Sequence, residues 1–307
     1  MSWRRVLARL IAGVPALFVV TLLVFAIVRL IPGDPARILA GDFATDQVVS
    51  ELRERWQLDR PWPVQYLTYI RGLLRGDLGR STATSLPVAA DLRERFVRTL
   101  ELAAAATVIG VLVGGIAGVL GATRRASAID YLATVVALVG VSTPIFWSGL
   151  ILILLFSVRL EWLPAGGTGG LAHLVLPALS LGLFGAGVIA RQTRSSMLEV
   201  LGEEFVRTAR SKGLAERAVI YKHALRNALI PIVTVVGDQF ARLLGGAILT
   251  ETVFSWPGIG RYLIEAIAMR DYPVIQAVIL VFAACFFVVN LLVDISYGLV
   301  DPRVRAE

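Results

Sequence analysis

The chain has 307 residues, of which 56% are apolar and 17% charged, with a formal net charge of +7. A mean hydropathy of +0.73 excludes a soluble globule of this length and points to an integral membrane protein. One cysteine, Cys285, excludes an internal disulfide, and with two histidines, His173 and His223, no cluster suited to a metal arises.

Hydrocarbon about 30 Å thick is crossed by roughly 20 apolar helical residues. Six runs of that kind follow one another: Leu10 to Ile31, Leu100 to Ala122, Leu132 to Ser157, Leu174 to Ala190, Pro231 to Thr250 and Val274 to Leu299. They are continuous rather than alternating, so the fold class is an all-α integral membrane protein with six transmembrane helices, not a barrel. The first run follows Arg4, Arg5 and Arg9 as a signal peptide would, but it exceeds the usual apolar core of such signals and no A-x-A site follows. It is expected to stay as the first helix.

The chain then divides into residues 1–31, a long polar segment 32–99, an apolar core 100–300 that includes the loop 191–230, and a tail 301–307. The segment 32–99 holds too little apolar content for a core of its own. A helix beginning near Thr45 or Asp46 would place Val48, Val49, Leu52 and Trp56 on one face. A second amphipathic stretch, Val64 to Leu74, ends at Gly76. In the second run Gly110, Gly114, Gly115, Gly118 and Gly121 suit close helix contact, and Pro144 is expected to kink the third run or break it after Ser142. Trp147, Trp162, Trp256, Tyr262 and Tyr297 are candidates for the interfacial aromatic belts.

Basic residues set the orientation. The N-terminus, the link carrying Arg124 and Arg125, the loop 191–230 with its eight Lys and Arg, and the tail with Arg303 and Arg305 share one side. The short loops opposite carry only Arg159, Arg261 and Arg270. The positive-inside bias puts both termini and the 191–230 loop in the cytoplasm. It also accounts for the net charge without nucleic acid as a partner.

Within that loop, EEFVRTARSKGLAERAVIYKHALRNALIP, Phe205, Val206, Ala209 and Leu214 form an apolar stripe beside Glu203, Glu204, Arg207, Arg210 and Lys212. Gly213 breaks the helix, a second runs from about Ala215 to Asn227, and Pro231 starts the next span. So small a unit cannot bury its stripe alone and needs a groove on a partner. On the fifth run Asp238 and Arg242 stand four residues apart, costly at membrane depth unless they pair and face the bundle interior or a water-filled pathway. Glu251 lies at the outer end of that run, where an entering solute would pass. No nucleophile elbow, H-E-x-x-H or phosphate-cradling G-x-x-x-x-G-K-[ST] is present, so no catalytic residue is assigned and any ATP would be bound by another chain.

TARSKG and HALRNALIP resemble the cytoplasmic loop of ABC-transporter permeases of the dipeptide, oligopeptide and nickel uptake branch. Against the broader permease pattern, Gly213 takes the glycine and Arg207, Thr208 and Ala209 take E-A-A, of which only the last alanine is kept. His223 to Arg226 take I-x-L-P, of which only Leu225 matches. RLIPGDPA from Arg29, LLRGDLG from Leu73, LLGGAILTETVFSWPGIGR from Leu243, RDYPVIQ from Arg270 and the closing DPRVR agree with the same branch.

The resemblance implies half of a translocation pathway in a bacterial inner membrane, with a second homologous permease subunit, usually as a heterodimer. Two ATPase subunits, or one fused ATPase, would carry ATP and Mg, and an extracytoplasmic binding protein would deliver a di- or oligopeptide. Glu204, Phe205, Arg207, Thr208, Ala209, Lys212 and Gly213 would belong to the coupling helix, with Phe205 and Ala209 as its apolar docking contacts. Apart from the resemblance, their charge within or at the end of a span makes Asp238, Arg242 and Glu251 candidates for lining the pathway, with helix packing as the alternative for Asp238 and Arg242. Membrane lipid is the remaining partner; no cofactor is expected on this chain. Nickel or a glutathione-like solute are alternative cargoes, and an ATP-independent secondary transporter is the alternative from another class.

Overall fold

The structure, a computed structural model, describes residues 3–30, 34–40 and 44–300. The end of the first predicted span at Ile31, Pro32 and Gly33 of RLIPGDPA, and the tail with DPRVR, Arg303 and Arg305 lie outside the described residues, as do the side chains of Arg4, Arg5, Arg9 and Tyr297. The elements are helical throughout: α1 Trp3–Leu30, α2 Pro35–Ala40, α3 Asp46–Arg55, α4 Trp62–Leu74, α5 Val88–Thr123, α6 Ala128–Ser142 and α7 Ile145–Leu152, which winds on as π-helical turns over Ile153–Arg159. They continue with α8 Leu171–Leu201, α9 Glu204–Ser211, α10 Glu216–Ala218, π-helical turns over Val219–Ala224, α11 Leu225–Gly246, α12 Ile248–Val253, α13 Ile259–Met269 and α14 Tyr272–Val300.

Among the described residues five segments are long and apolar enough to cross a membrane singly, those on α1, α5, α8, α11 and α14. The sixth crossing is the bent pair α6 and α7. Pro144 has no N–H to donate and forces Thr143 into an extended conformation, φ −83° and ψ 127°, so the helix stops at Ser142 and resumes at 102°. The pair still traverses the bundle. It starts beside the last turn of α5 and leads to Gly167, whose N–H donates to Phe254 O at 2.8 Å, next to the point where Trp256 Nε1 donates to Arg98 O at 2.9 Å on the first turns of α5.

Several helices outrun the predicted spans. At about 1.5 Å per residue, α5 is about 54 Å long, so its first turns stand clear of a 30 Å hydrocarbon layer. The helix α8 runs on to Leu201, which shrinks the predicted 191–230 loop to little more than α9 and α10. Pro231 does not begin a span, because α11 passes through it and stops at Gly246, before a separate α12. On α3 the expected face is split: Val49 is buried, but Val48 is open. Trp147 and Trp162 are exposed as belt residues would be, whereas Trp256 and Tyr262 are buried in packing.

The helix α5 packs along α8 through its glycines. A Cβ on Gly114 would lie 2.5 Å from Ala186 O, and one on Gly118 would lie 2.7 Å from Ala190 O, so no larger residue fits without the backbones parting. Helices α1 and α14 run antiparallel. Gly13 faces the Phe287 ring, while Val24 and Val28 share a buried cluster with Val274, Ile275 and Val278. The beginning of α1 is therefore level with the end of α14.

Candidate functional site

Three groups of predicted residues are placed by these elements. The first is α9. Its Val206 is fully buried and Ala209 nearly so, both packed on Val219 and against Leu201. The unit therefore buries half of its stripe on its own fold, which corrects the expectation that it could not, and Ala209 holds the helix in place rather than facing a partner. What remains outward is Phe205 at 40% exposure and Leu214 at 42%, with Glu204, Arg207, Thr208 and Lys212 around them. Gly213 ends α9 at φ +74°, a conformation that strains any residue with a Cβ, and its N–H donates to Arg210 O at 2.9 Å. Beyond it Glu216 receives both Arg210 Nη2 at 2.7 Å and Nε at 3.2 Å, a fork that raises the Arg210 pKa and ties α9 to α10. The ion pairs among the described residues engage neither Arg207 nor Lys212.

The second group is the predicted pair on α11. Arg242 Nε donates to Asp238 Oδ2 at 2.9 Å. The arginine side chain is 68% exposed and the carboxylate 43%, so the pair does not face the interior of this chain. It lies open on the α11 surface.

The third is Glu251, expected at the outer end of the fifth run, which the structure places inside the packing rather than on an open surface. Glu251 sits on α12 with no exposed surface. Thr99 Oγ1 donates to its Oε1 at 2.6 Å and the Arg261 N–H to its Oε2 at 3.0 Å, while Thr99 Oγ1 accepts from the Ile259 N–H at 2.9 Å. Burial pushes the carboxyl pKa up, opposed by the bonds from Thr99 and the backbone of Arg261 and Gly260. Glu251 is a clamp joining α5, α12 and α13. Its carboxylate is enclosed by the packing of this chain. Beside it, burial and the nearby Asp91 carboxylate push the Tyr262 hydroxyl up to about 12.

Two further carboxylates escaped sequence reasoning. Asp130 at the start of α6 accepts Arg194 Nε at 2.6 Å and Nη2 at 2.8 Å from α8, and also the Ala126 N–H at 3.0 Å. The two residues are 64 apart in the chain, and no local spacing announces them; Ser127 caps the helix there, its Oγ accepting the Asp130 N–H at 3.3 Å. Asp271, between α13 and α14, is 3% exposed and accepts from Ser81 Oγ and from the backbone N–H groups of Thr82 and Ala83 at 3.1 and 3.4 Å. Among the described residues no group of three or more His, Cys, Asp or Glu could hold a metal ion.

Residues 106–306 match the family described as binding-protein-dependent transport system inner membrane component, and residues 2–103 match its N-terminal counterpart. The chain is 45% identical to the dipeptide transport system permease protein DppB of Alkalihalophilus pseudofirmus, over 97% of this chain and 98% of that one. It is 46% identical to the glutathione transport system permease protein GsiC of Escherichia coli K12, over 98% of each. Among solved structures, an inward-facing form of the MetNI methionine ABC transporter superposes with a TM-score of 0.59 at 19% identity, over 68% of this chain and 96% of that one.

Proposed function

The chain belongs to the binding-protein-dependent transport system inner membrane components, and from that membership we propose that it forms half of an ATP-driven import pathway for di- or oligopeptides. As a permease subunit it is a multi-pass inner-membrane protein working with an extracytoplasmic binding protein. In our reading the α9 end is cytoplasmic, with both termini. ATP and Mg sit on partner ATPase subunits, and a second homologous permease, as a heterodimer, completes the pathway.

The observation that carries the reading is the division of α9 into two faces. Val206 and Ala209 anchor the helix to Val219, and Gly213 stops it, so Phe205, Arg207 and Lys212 are held on a rigid base. Such a face suits a groove that takes one aromatic side chain within a charged rim. Movement of the ATPase pair would then be passed through α9 to the end of α8, without α9 itself deforming.

The open Asp238–Arg242 pair supports the second half of the reading. An ion pair against hydrocarbon is costly, so the α11 face that carries it is assigned to the polar space between the two permease subunits. Dipeptide as cargo rests on DppB, and glutathione, itself a small peptide, is the second reading on the likeness to GsiC.

Phe205→Asp together with Arg207→Glu tests the docking. The transporter should hydrolyse ATP without peptide uptake, or lose the ATPase subunits on purification. Uptake at the unaltered level, with the ATPase still bound, removes α9 as the coupling element.

A further inference from the structure

At the opposite end of the bundle, between α1, α4 and the start of α14, lies a cavity of about 290 Å³. Its polar lining is one-sided. Arg29 and Arg55 reach it, and neither takes part in an ion pair among the described residues. Arg29 donates through Nε and Nη2 to Gln65 Oε1 at 3.0 and 2.7 Å, a neutral acceptor that positions the guanidinium without neutralising it, and it lies 3.5 Å over the Phe25 ring. The one carboxylate on the wall, Asp77, is turned to the Gly79 N–H at 2.8 Å. Asp34, on the far side of Arg29, is held by Arg53 at 2.6 and 2.9 Å.

Two more donors reach this wall with nothing to bond. Gln276 is 6% exposed and its Nε2 has no partner, and the Tyr69 hydroxyl is likewise buried without one. Buried polar groups in folded chains are nearly always satisfied, by protein, water or ligand. Two orphan donors and two uncompensated guanidinium groups around one space describe a site for an acceptor of negative charge.

The surroundings say where that anion comes from. Arg29 is in the last turn of a membrane-crossing helix, and next to it Ile27 and Leu30 are open at 58% and 68%. Along α4, Gln65, Thr68, Tyr69 and Gly72 share the face that lines the cavity, while Leu67 and Leu74 point away from it at 54% and 83% exposure. An amphipathic helix with that division lies along the membrane surface. We propose that the cavity holds the phosphate of an anionic phospholipid headgroup, in the outer leaflet for the orientation given above, with the acyl chains along α1.

The full chain purified in a mild detergent is titrated with phosphatidylglycerol, and separately with inorganic phosphate, while the melting midpoint and the retained lipid by native mass spectrometry are followed. Phosphatidylglycerol should raise the midpoint and remain bound, inorganic phosphate should do neither, and Arg29→Gln or Tyr69→Phe/Gln276→Leu should weaken the lipid about tenfold. Tyr69→Phe keeps the ring contacts with Phe25 and removes only the hydroxyl, so that variant decides if the pair does not fold. Equal stabilisation by inorganic phosphate overturns the lipid in favour of a soluble anion. Lipid affinity unchanged in the variants, or no retained lipid in the unaltered chain, overturns the site.

Discussion

At the α9 end of the bundle a helix of eight residues rests on Val206 and Ala209 and turns its charges outward. At the other end Glu251 and Asp271 are 0% and 3% exposed, and all four of their carboxylate oxygens accept hydrogen bonds from Thr99, Arg261, Ser81, Thr82, Ala83 or Val274. Both ends are rich in polar residues, yet one keeps them for solvent or a partner and the other consumes them in its own architecture. A buried carboxylate with every oxygen bonded fixes the loops around it. An exposed charge adds little to stability, and those without an ion-pair partner among the described residues, such as Arg207 and Lys212, stay free to meet another chain.

Substitutions at the two ends should therefore separate stability from coupling. Asp271→Ala leaves several buried N–H and O–H donors without an acceptor, and a loss of about 3 kcal/mol in unfolding free energy is expected. A melting midpoint equal to that of the unaltered chain would show that the α13–α14 turn does not depend on it.

Thr99→Val removes the shortest hydrogen bond to Glu251 and should cost about 2 kcal/mol. Its pH dependence has a defined sign. The folded pKa of Glu251 is raised, so its ionisation opposes the fold, and stability falls as pH climbs from the unfolded value towards the folded one. Loss of Thr99 raises the folded value further. The deficit against the unaltered chain should be larger at about pH 8 than at about pH 5, and an equal deficit would mean that Glu251 does not change its protonation between them.

Gly114→Ala tests the seam between α5 and α8 that joins the two ends, and overpacking there should cost about 1–3 kcal/mol. At the α9 end the effects should be smaller. Gly213→Ala places a Cβ at φ +74°, at about 1 kcal/mol. Phe205→Asp should move the melting midpoint by no more than a surface substitution does, about 0.5 kcal/mol, while abolishing coupled uptake. A large loss of stability from Phe205→Asp would erase the contrast between the two ends.

Part of this was legible in local sequence. Apolar runs marked the crossings, because a helix in lipid must satisfy its own backbone and expose apolar side chains along its whole length. Gly213 and Pro144 announced their breaks, since φ and a missing N–H are properties of single residues. The stripe on α9 was visible too, but not its division: whether Ala209 or Phe205 faces outward depends on where Val219 lies.

What tertiary structure alone decided is which charges are spent. Asp238 and Arg242, four residues apart on one helix, could be paired by periodicity. Asp130 with Arg194, Asp271 with Ser81, Glu251 with Thr99 and Arg29 with Gln65 lie 64, 190, 152 and 36 residues apart. Hydropathy assigns a carboxylate the same cost wherever it stands, and only the donors brought to it by distant segments make it a clamp rather than a lining for a pathway. For that reason the composition, the crossings and the family were readable from the chain, whereas the burial of Glu251 among bonded donors, and the unbonded donors at Tyr69 and Gln276, required the packed bundle.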